Sequence, residues 1–327
     1  MEHIRANIVS FGEKRGKPYA ESSINTYIRN IGKVFHSIHG DQEMEDMWWA
    51  KDIPVVDKAI ANFKPTTQRN YYNSIIIGLM ALKQDTFMPD NVRKVYEGKR
   101  DILNAEYEKN KGKPTENQAK VMEQVNKQTI LDMLENTKEQ VKGNRMEYIA
   151  WMMFKIHTEI PFRNELSAIR VLREAQYEKL ADKTENYLLI KSVNDRPRAT
   201  MKFIMNNGKT TSKYGPRTIN VGLPLVSTLI DYLKSIDLWK RKYVEPTYLF
   251  TWATGKPLTR NDVSHLLSNF SNKNIGHSVS TTLMAKMFNN IPPNANTATA
   301  EEIEAVQEQA HARGHSVKIK ASIYNPQ

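Results

Sequence analysis

The chain has 327 residues, of which 40% are apolar, enough to bury one large core or two ordinary ones. Lysine plus arginine outnumber aspartate plus glutamate by 47 to 36, giving a formal charge of +11 and a pI near 9.5; that balance points to a polyanionic partner, with nucleic acid first. There is no cysteine, which excludes disulfides, thiolate metal sites and cysteine nucleophiles.

The polar opening "MEHIRANIVSFGEKRGK" lacks the apolar core of a signal peptide. The longest apolar run, Tyr148 to Phe154, is too short to cross a bilayer, so an intracellular protein with no membrane partner is expected. In "SSINTYIRNIGKVFHSIHG" the residues Ile24, Tyr27, Ile28, Ile31, Val34, Phe35 and Ile38 recur at helical spacing, with Ser22 or Ser23 as cap and Gly40 as terminator. "TTQRNYYNSIIIGLMALKQD" predicts a second amphipathic helix capped by Thr66 or Thr67, with an apolar face from Tyr72 to Leu82. Arg29, Lys33, Arg69 and Lys83 lie off these apolar stripes and are candidate DNA-phosphate contacts; an ordinary solvated face accounts equally well for any one of them.

From Tyr107 to Gln118 the text "YEKNKGKPTENQ" has no aliphatic residue and contains Gly112 and Pro114. It reads as an interdomain linker over 108–118, between a helical domain at 1–107 and a second domain at 119–327. Beyond it, "RMEYIAWMMFKIHTE" predicts a strongly apolar helix. "NYLLI", "TMKFIMN" and "RTINVGL" predict three strands, "GKTTSKYGP" a loop before the third, and "PLVSTLIDYLKSI" a further helix. The remainder from there to the last residue is read as helix with loops. The fold class is therefore α+β, mainly helical with a small antiparallel sheet.

A Gly-rich phosphate loop, an HExxH pair and a nuclease-type carboxylate cluster are all missing from the text, which disfavours metal-dependent phosphoryl transfer. The closing stretch "ARGHSVKIKASIYNPQ" offers another chemistry. A tyrosine phenol can attack a backbone phosphate and conserve the bond energy for religation. The transition state then calls for cationic or hydrogen-bonding donors at the phosphate and an acid for the departing sugar oxygen.

These residues resemble the tyrosine recombinases, or phage-type integrases. The resemblance rests on the order of a helical domain, a linker and a second basic domain, and above all on a Gly-His-Ser turn with Tyr324 nine residues after His315. It implies that Tyr324 is the nucleophile, that His315 donates to the scissile phosphate, and that a lysine in a β-hairpin turn is the general acid. Lys209, which follows the incoming strand and precedes a threonine, is favoured for that role, with Lys213 as the alternative.

Two places depart from the pattern. The family's first arginine stands three residues before a Glu-Leu or Asp-Leu pair, but here Phe162 stands three before Glu165 and Arg163 comes one residue late. In the His-x-x-Arg box the matching text "VSTTLMAKMFNN" puts Thr282 at the histidine, Ala285 at the arginine and Lys286 at the basic position after it. Three origins fit Ala285: a substitution introduced to trap a complex, natural loss in a DNA-binding relative, or a shifted register in which Lys286 or Arg313 supplies the cation.

The resemblance further implies a two-domain DNA clamp, the second domain being catalytic. It implies site-specific strand exchange through a covalent 3′-phosphotyrosyl intermediate, with Arg163, His315 and Lys286 at the phosphate and no metal or nucleotide cofactor. The implied partners are double-stranded DNA and further copies of the chain, as a tetramer on paired sites. Only three residues follow Tyr324, which implies an altered assembly. The rival readings are a non-catalytic architectural or regulatory DNA-binding protein on the same fold, and a hairpin-forming telomere resolvase.

Overall fold

A computed structural model describes residues 1–82, 90–110, 113–191, 198–208, 211, 215–240, 248–288 and 300–313. Lys83, Lys209, Lys213, His315 and Tyr324 lie outside the described residues. The chain divides into two compact units, Met1–Lys111 and Gly112–Gln327.

The first unit is all helical: α1 (Glu2–Lys14), α2 (Glu21–His39), α3 (Ile53–Ile60), α4 (Pro65–Met80) and α5 (Asp90–Asn110). In α2, Ile24, Ile31, Val34 and Phe35 are buried, while Tyr27, Ile28 and Ile38 pack against the same core from its margin. Gly40 ends the helix at φ +64°, a left-handed turn that costs a residue without Cβ little. The helix starts two or three residues earlier than a cap at Ser22 or Ser23 would place it. Ala20 occupies the cap with no side-chain bond, and Ser22 and Ser23 fall inside the first turn. Likewise Lys64 caps α4 and Pro65 opens it, since proline's missing N–H costs nothing at the first helical position. A Cβ on Gly78 would come within 3.0 Å of the Met47 side chain and 3.1 Å of the Ile31 side chain on α2, so a larger residue in α4 there would press on both.

The second unit holds α6 (Glu116–Gln124), α7 (Lys127–Thr137), α8 (Arg145–Glu159), α9 (Glu174–Glu178), α10 (Leu223–Lys240), α11 (Arg260–Ile275), α12 (Thr281–Phe288) and α13 (Ala300–Arg313), around a four-stranded sheet. The run "YEKNKGKPTENQ" is partly helical. Its first residues finish α5, and Thr115 caps α6 by accepting from the N–H of Gln118, whose side chain accepts in return from the N–H of Thr115. α8 is the core helix, capped by Asn144 and buried from Tyr148 to His157 at every position but Lys155.

The sheet runs β1 (Ile169–Arg173), β2 (Asn186–Lys191), β3 (Thr200–Met205), β4 (Arg217–Asn220), in that spatial order. Three strands match the sequence expectation and pair antiparallel. The fourth, β1, lies where no strand was predicted and pairs parallel to β2, Ile169 facing Asn186, so the sheet is mixed and not purely antiparallel. Pro161 breaks α8, and the β-branched Ile169 and Val171 suit a pleated strand better than a continued helix. Alternation assigns the faces: Leu188, Ile190, Met201, Phe203 and Met205 enter the main core, whereas Tyr187, Leu189 and Ile204 form a small cluster on the other side. With both faces covered, β2 reads as an unbroken apolar run.

Phe162 is fully buried, its ring edge-on to Phe203 at 5.0 Å, and so secures the segment leaving α8 to the sheet. Phe162→Ala is expected to destabilise the second unit by about 3–5 kcal/mol, read from the shift of its denaturant unfolding transition. The first unit's transition should not move.

Candidate functional site

After α8 the chain turns at Pro161, where the N–H of Phe162 donates to the carbonyl of Ile160 at 2.7 Å. Phe162 points into the core and Arg163 remains partly exposed, at the start of a 3-10 turn over Asn164–Ala168. Asn164 ties three elements together: its Nδ2 donates to the carbonyl of Arg260 at 3.1 Å and to Ser264 Oγ at 2.6 Å on α11, and its Oδ1 accepts from Thr281 Oγ1 at 2.9 Å on α12.

Glu165 is 3% exposed and Arg217, the first residue of β4, is 2% exposed. Arg217 Nη2 donates to Glu165 Oε2 at 3.0 Å and Nη1 donates to the carbonyl oxygen of Ala312 at 2.5 Å. That carbonyl belongs to the last turn of α13, where helical oxygens have no partner within the helix and the negative end of the dipole favours a cation. One buried guanidinium thus joins the turn after Arg163, the outgoing strand of the hairpin and the end of α13. The hairpin passes directly over this pair: a Cβ on Gly208 would lie 2.6 Å from Glu165 Oε1 and 3.3 Å from Arg217 Nη2. Only glycine fits so close, and Lys209 is the next residue in the chain.

On α12, Thr281, Leu283, Met284, Ala285 and Phe288 are buried and Thr282 is exposed. Ala285, at the position matched to an arginine, is 1% exposed and packed inward. Lys286, next to it, is half-buried; its ammonium donates to Gln118 Oε1 at 3.3 Å, and burial lowers its pKa below the usual lysine value. The described geometry therefore brings Glu165 together with Arg217 and joins Asn164 to Thr281.

In the first unit, Arg29 and Lys33 of α2 face Thr67 and Asn70 of α4 across one groove, which Thr26, Asn30 and Tyr71 complete. Asn30 is held there by donating to Ser74 Oγ at 3.0 Å, which in turn donates to the carbonyl of Asn70 at 2.8 Å. Arg69 lies outside this lining, its guanidinium stacked 4.0 Å over the ring of Tyr107 on α5. Of the four expected phosphate contacts, two share a groove, one is engaged with an aromatic ring, and Lys83 lies outside the described residues. Among the described residues no cluster of histidines and carboxylates is arranged to hold a metal ion, and no helix is long and apolar enough to cross a membrane.

The sequence reading missed Arg217 and Asn164. A signal for Arg217 was present: in "RTIN" it shares the inward phase of Ile219, so strand alternation alone buries it.

No protein-family profile matches the sequence, and no curated protein matches it. Among solved structures the chain is similar to a crystal structure of XerA recombinase, with 14% identity over 99% of this chain and 94% of that one, at a TM-score of 0.41. A likeness this distant leaves the chemistry to be argued from the chain's own residues.

Arg217→Ala should cost about 3–5 kcal/mol by stranding the Glu165 carboxylate, whereas the paired change Glu165→Leu with Arg217→Met should cost far less. Chemical denaturation of the three proteins decides this. Lys286 titrates lower in the folded chain than in the unfolded one, so the unfolded state binds more protons and stability rises as pH climbs from the folded value toward the ordinary 10.5. Lys286→Met should flatten that rise in a stability–pH profile.

Proposed function

We propose that this protein binds duplex DNA and breaks and rejoins one strand at a time through Tyr324, as a site-specific recombinase or integrase of the tyrosine type. The observation that carries the reading is the spacing of His315 and Tyr324 on the stretch that follows α13. The last turn of that helix is tied by Arg217 to Glu165, two residues from Arg163 and directly beneath the hairpin glycine before Lys209.

In this scheme the phenol oxygen of Tyr324 attacks the scissile phosphorus. A 3′-phosphotyrosyl bond forms as the bond to the 5′ oxygen breaks, and Lys209, or Lys213 in its place, gives that oxygen a proton. Arg163 and His315 hold the non-bridging oxygens, with Lys286 in support. Rejoining reverses the steps from a different 5′ hydroxyl. No metal or nucleotide is assigned a role. The first unit, with Arg29 and Lys33 across its polar groove, contributes phosphate contacts, and the second unit, which carries most of the excess positive charge, acts on the strand. The acting assembly is a tetramer of the chain on paired sites.

Ala285 bears on the rate. A missing charge-stabilising donor lowers turnover about a hundred- to thousand-fold, so the present chain is a slow enzyme. The same observation favours a second reading, a non-catalytic DNA-binding protein of architectural or regulatory type, because the buried Ala285 and the Thr282 hydroxyl leave that stretch of α12 without its arginine and histidine. A telomere resolvase would form the same adduct and differ in its hairpin product.

A duplex nicked beside the target phosphate traps the covalent step. The native chain should accumulate a protein–DNA adduct that Tyr324→Phe abolishes, and Ala285→Arg should accelerate it; absence of adduct from both the native and Ala285→Arg proteins would leave the non-catalytic reading. DNA affinity should fall steeply with salt. Arg29→Ala combined with Lys33→Ala should reduce the log–log slope by about 2, since each phosphate contact contributes about 0.9.

A further inference from the structure

We propose that α5 is a self-association surface on which a second copy of this chain packs its own α5 antiparallel. The inference is independent of any reaction at Tyr324. The inward side of α5 is occupied: Val92 and Tyr96 lie in the core of the first unit, where the Tyr96 hydroxyl donates to the carbonyl of Ala50 at 2.6 Å. The outward side carries a second apolar stripe that a lone helix does not need. Ile102 is 72% exposed and Val95 is 39% exposed, seven residues apart, with Gly98 and Ala105 three residues after each. This is the 3-4 spacing of a helix-pairing seam, and large residues alternate in it with small ones.

The alternation selects the partner and the direction. Lying antiparallel about a two-fold axis, two such stripes set Ile102 of one copy against Gly98 of the other and Val95 against Ala105, so each large side chain meets a small one. The room exists, since a Cβ on Gly98 would meet nothing within 4 Å. Two parallel helices would instead stack Ile102 on Ile102 and leave the gap at Gly98 unfilled. Charge agrees with the same direction. The amino-terminal half of α5 carries Arg93, Lys94, Lys99 and Arg100 against Asp90 and Glu97, a net +2, while the carboxy-terminal half carries Asp101, Glu106 and Glu108 against Lys109, a net −2. Antiparallel pairing lays the net positive half on the net negative half, and parallel pairing lays like on like.

The experiment is sedimentation of the full chain without DNA over a range of concentrations, where a reversible dimer is expected. Ile102→Lys should raise the dissociation constant roughly a hundredfold or more, because both copies lose the central apolar contact at once. Gly98→Leu is the discriminating variant. It adds exposed apolar surface and fits the free helix, yet by filling the space meant for Ile102 it should weaken the dimer. Since the chain lacks cysteine, Val95→Cys in one copy and Ala105→Cys in a differently tagged copy should form a mixed disulfide on combining, and far less with themselves. A chain that stays monomeric throughout, a dimer indifferent to Ile102→Lys, a dimer tightened by Gly98→Leu, or disulfides formed only between like cysteines would each overturn the proposal. The DNA adduct plays no part in these readouts, so they stand apart from the fate of the proposed reaction.

Discussion

The buried contact of Arg217 with Glu165 and with the carbonyl of Ala312 is the interaction on which the second unit's candidate site depends. A guanidinium and a carboxylate removed from water are costly to keep, and similar pairs can often be replaced by apolar residues without loss of stability. What this pair supplies is position. Three segments distant in sequence, the turn after α8, the return strand of the hairpin and the end of α13, are held at one point, and each leads within a few residues to a group with a proposed role. Gly208 above the pair and Asn164 beside it extend the same constraint to the hairpin and to α12. The electrostatic and packing requirements therefore meet at one place, even though the reactive groups themselves lie on flanking segments.

The departures from the family pattern follow from packing. Phe162 stands where an arginine was expected and is packed in the core against Phe203, whereas the next residue, Arg163, is partly exposed. Ala285 is likewise turned inward on α12.

Much of the fold was legible in the text. The helical periods of α2 and α4, the apolar run of α8, and three of the four strands follow from patterning, because burial of a face imposes a period that the residues must honour. The caps at Ala20 and Lys64 and the parallel strand β1 were not, since a start can shift by two or three residues at little cost and a short stretch such as "AIRV" suits either helix or strand until tertiary pairing decides. At the candidate site, Glu165 was visible as part of a motif. Its partner was not, because a charged residue at the head of a strand reads as solvated unless its inward phase is followed from Ile219 back to Arg217. The groove of Arg29 and Lys33 was half legible: both were marked as cations off the apolar stripe, but the facing Thr67 and Asn70 come from a helix whose approach is set by Gly78.

The claim that the buried pair positions the end of α13, and is not merely a stabilising contact, is tested most directly by amide hydrogen exchange in the Glu165→Leu, Arg217→Met chain. Such a variant should keep its global stability while the amides of the last turn of α13 exchange faster than in the native protein. Unchanged exchange in that turn, with folding otherwise intact, would contradict it.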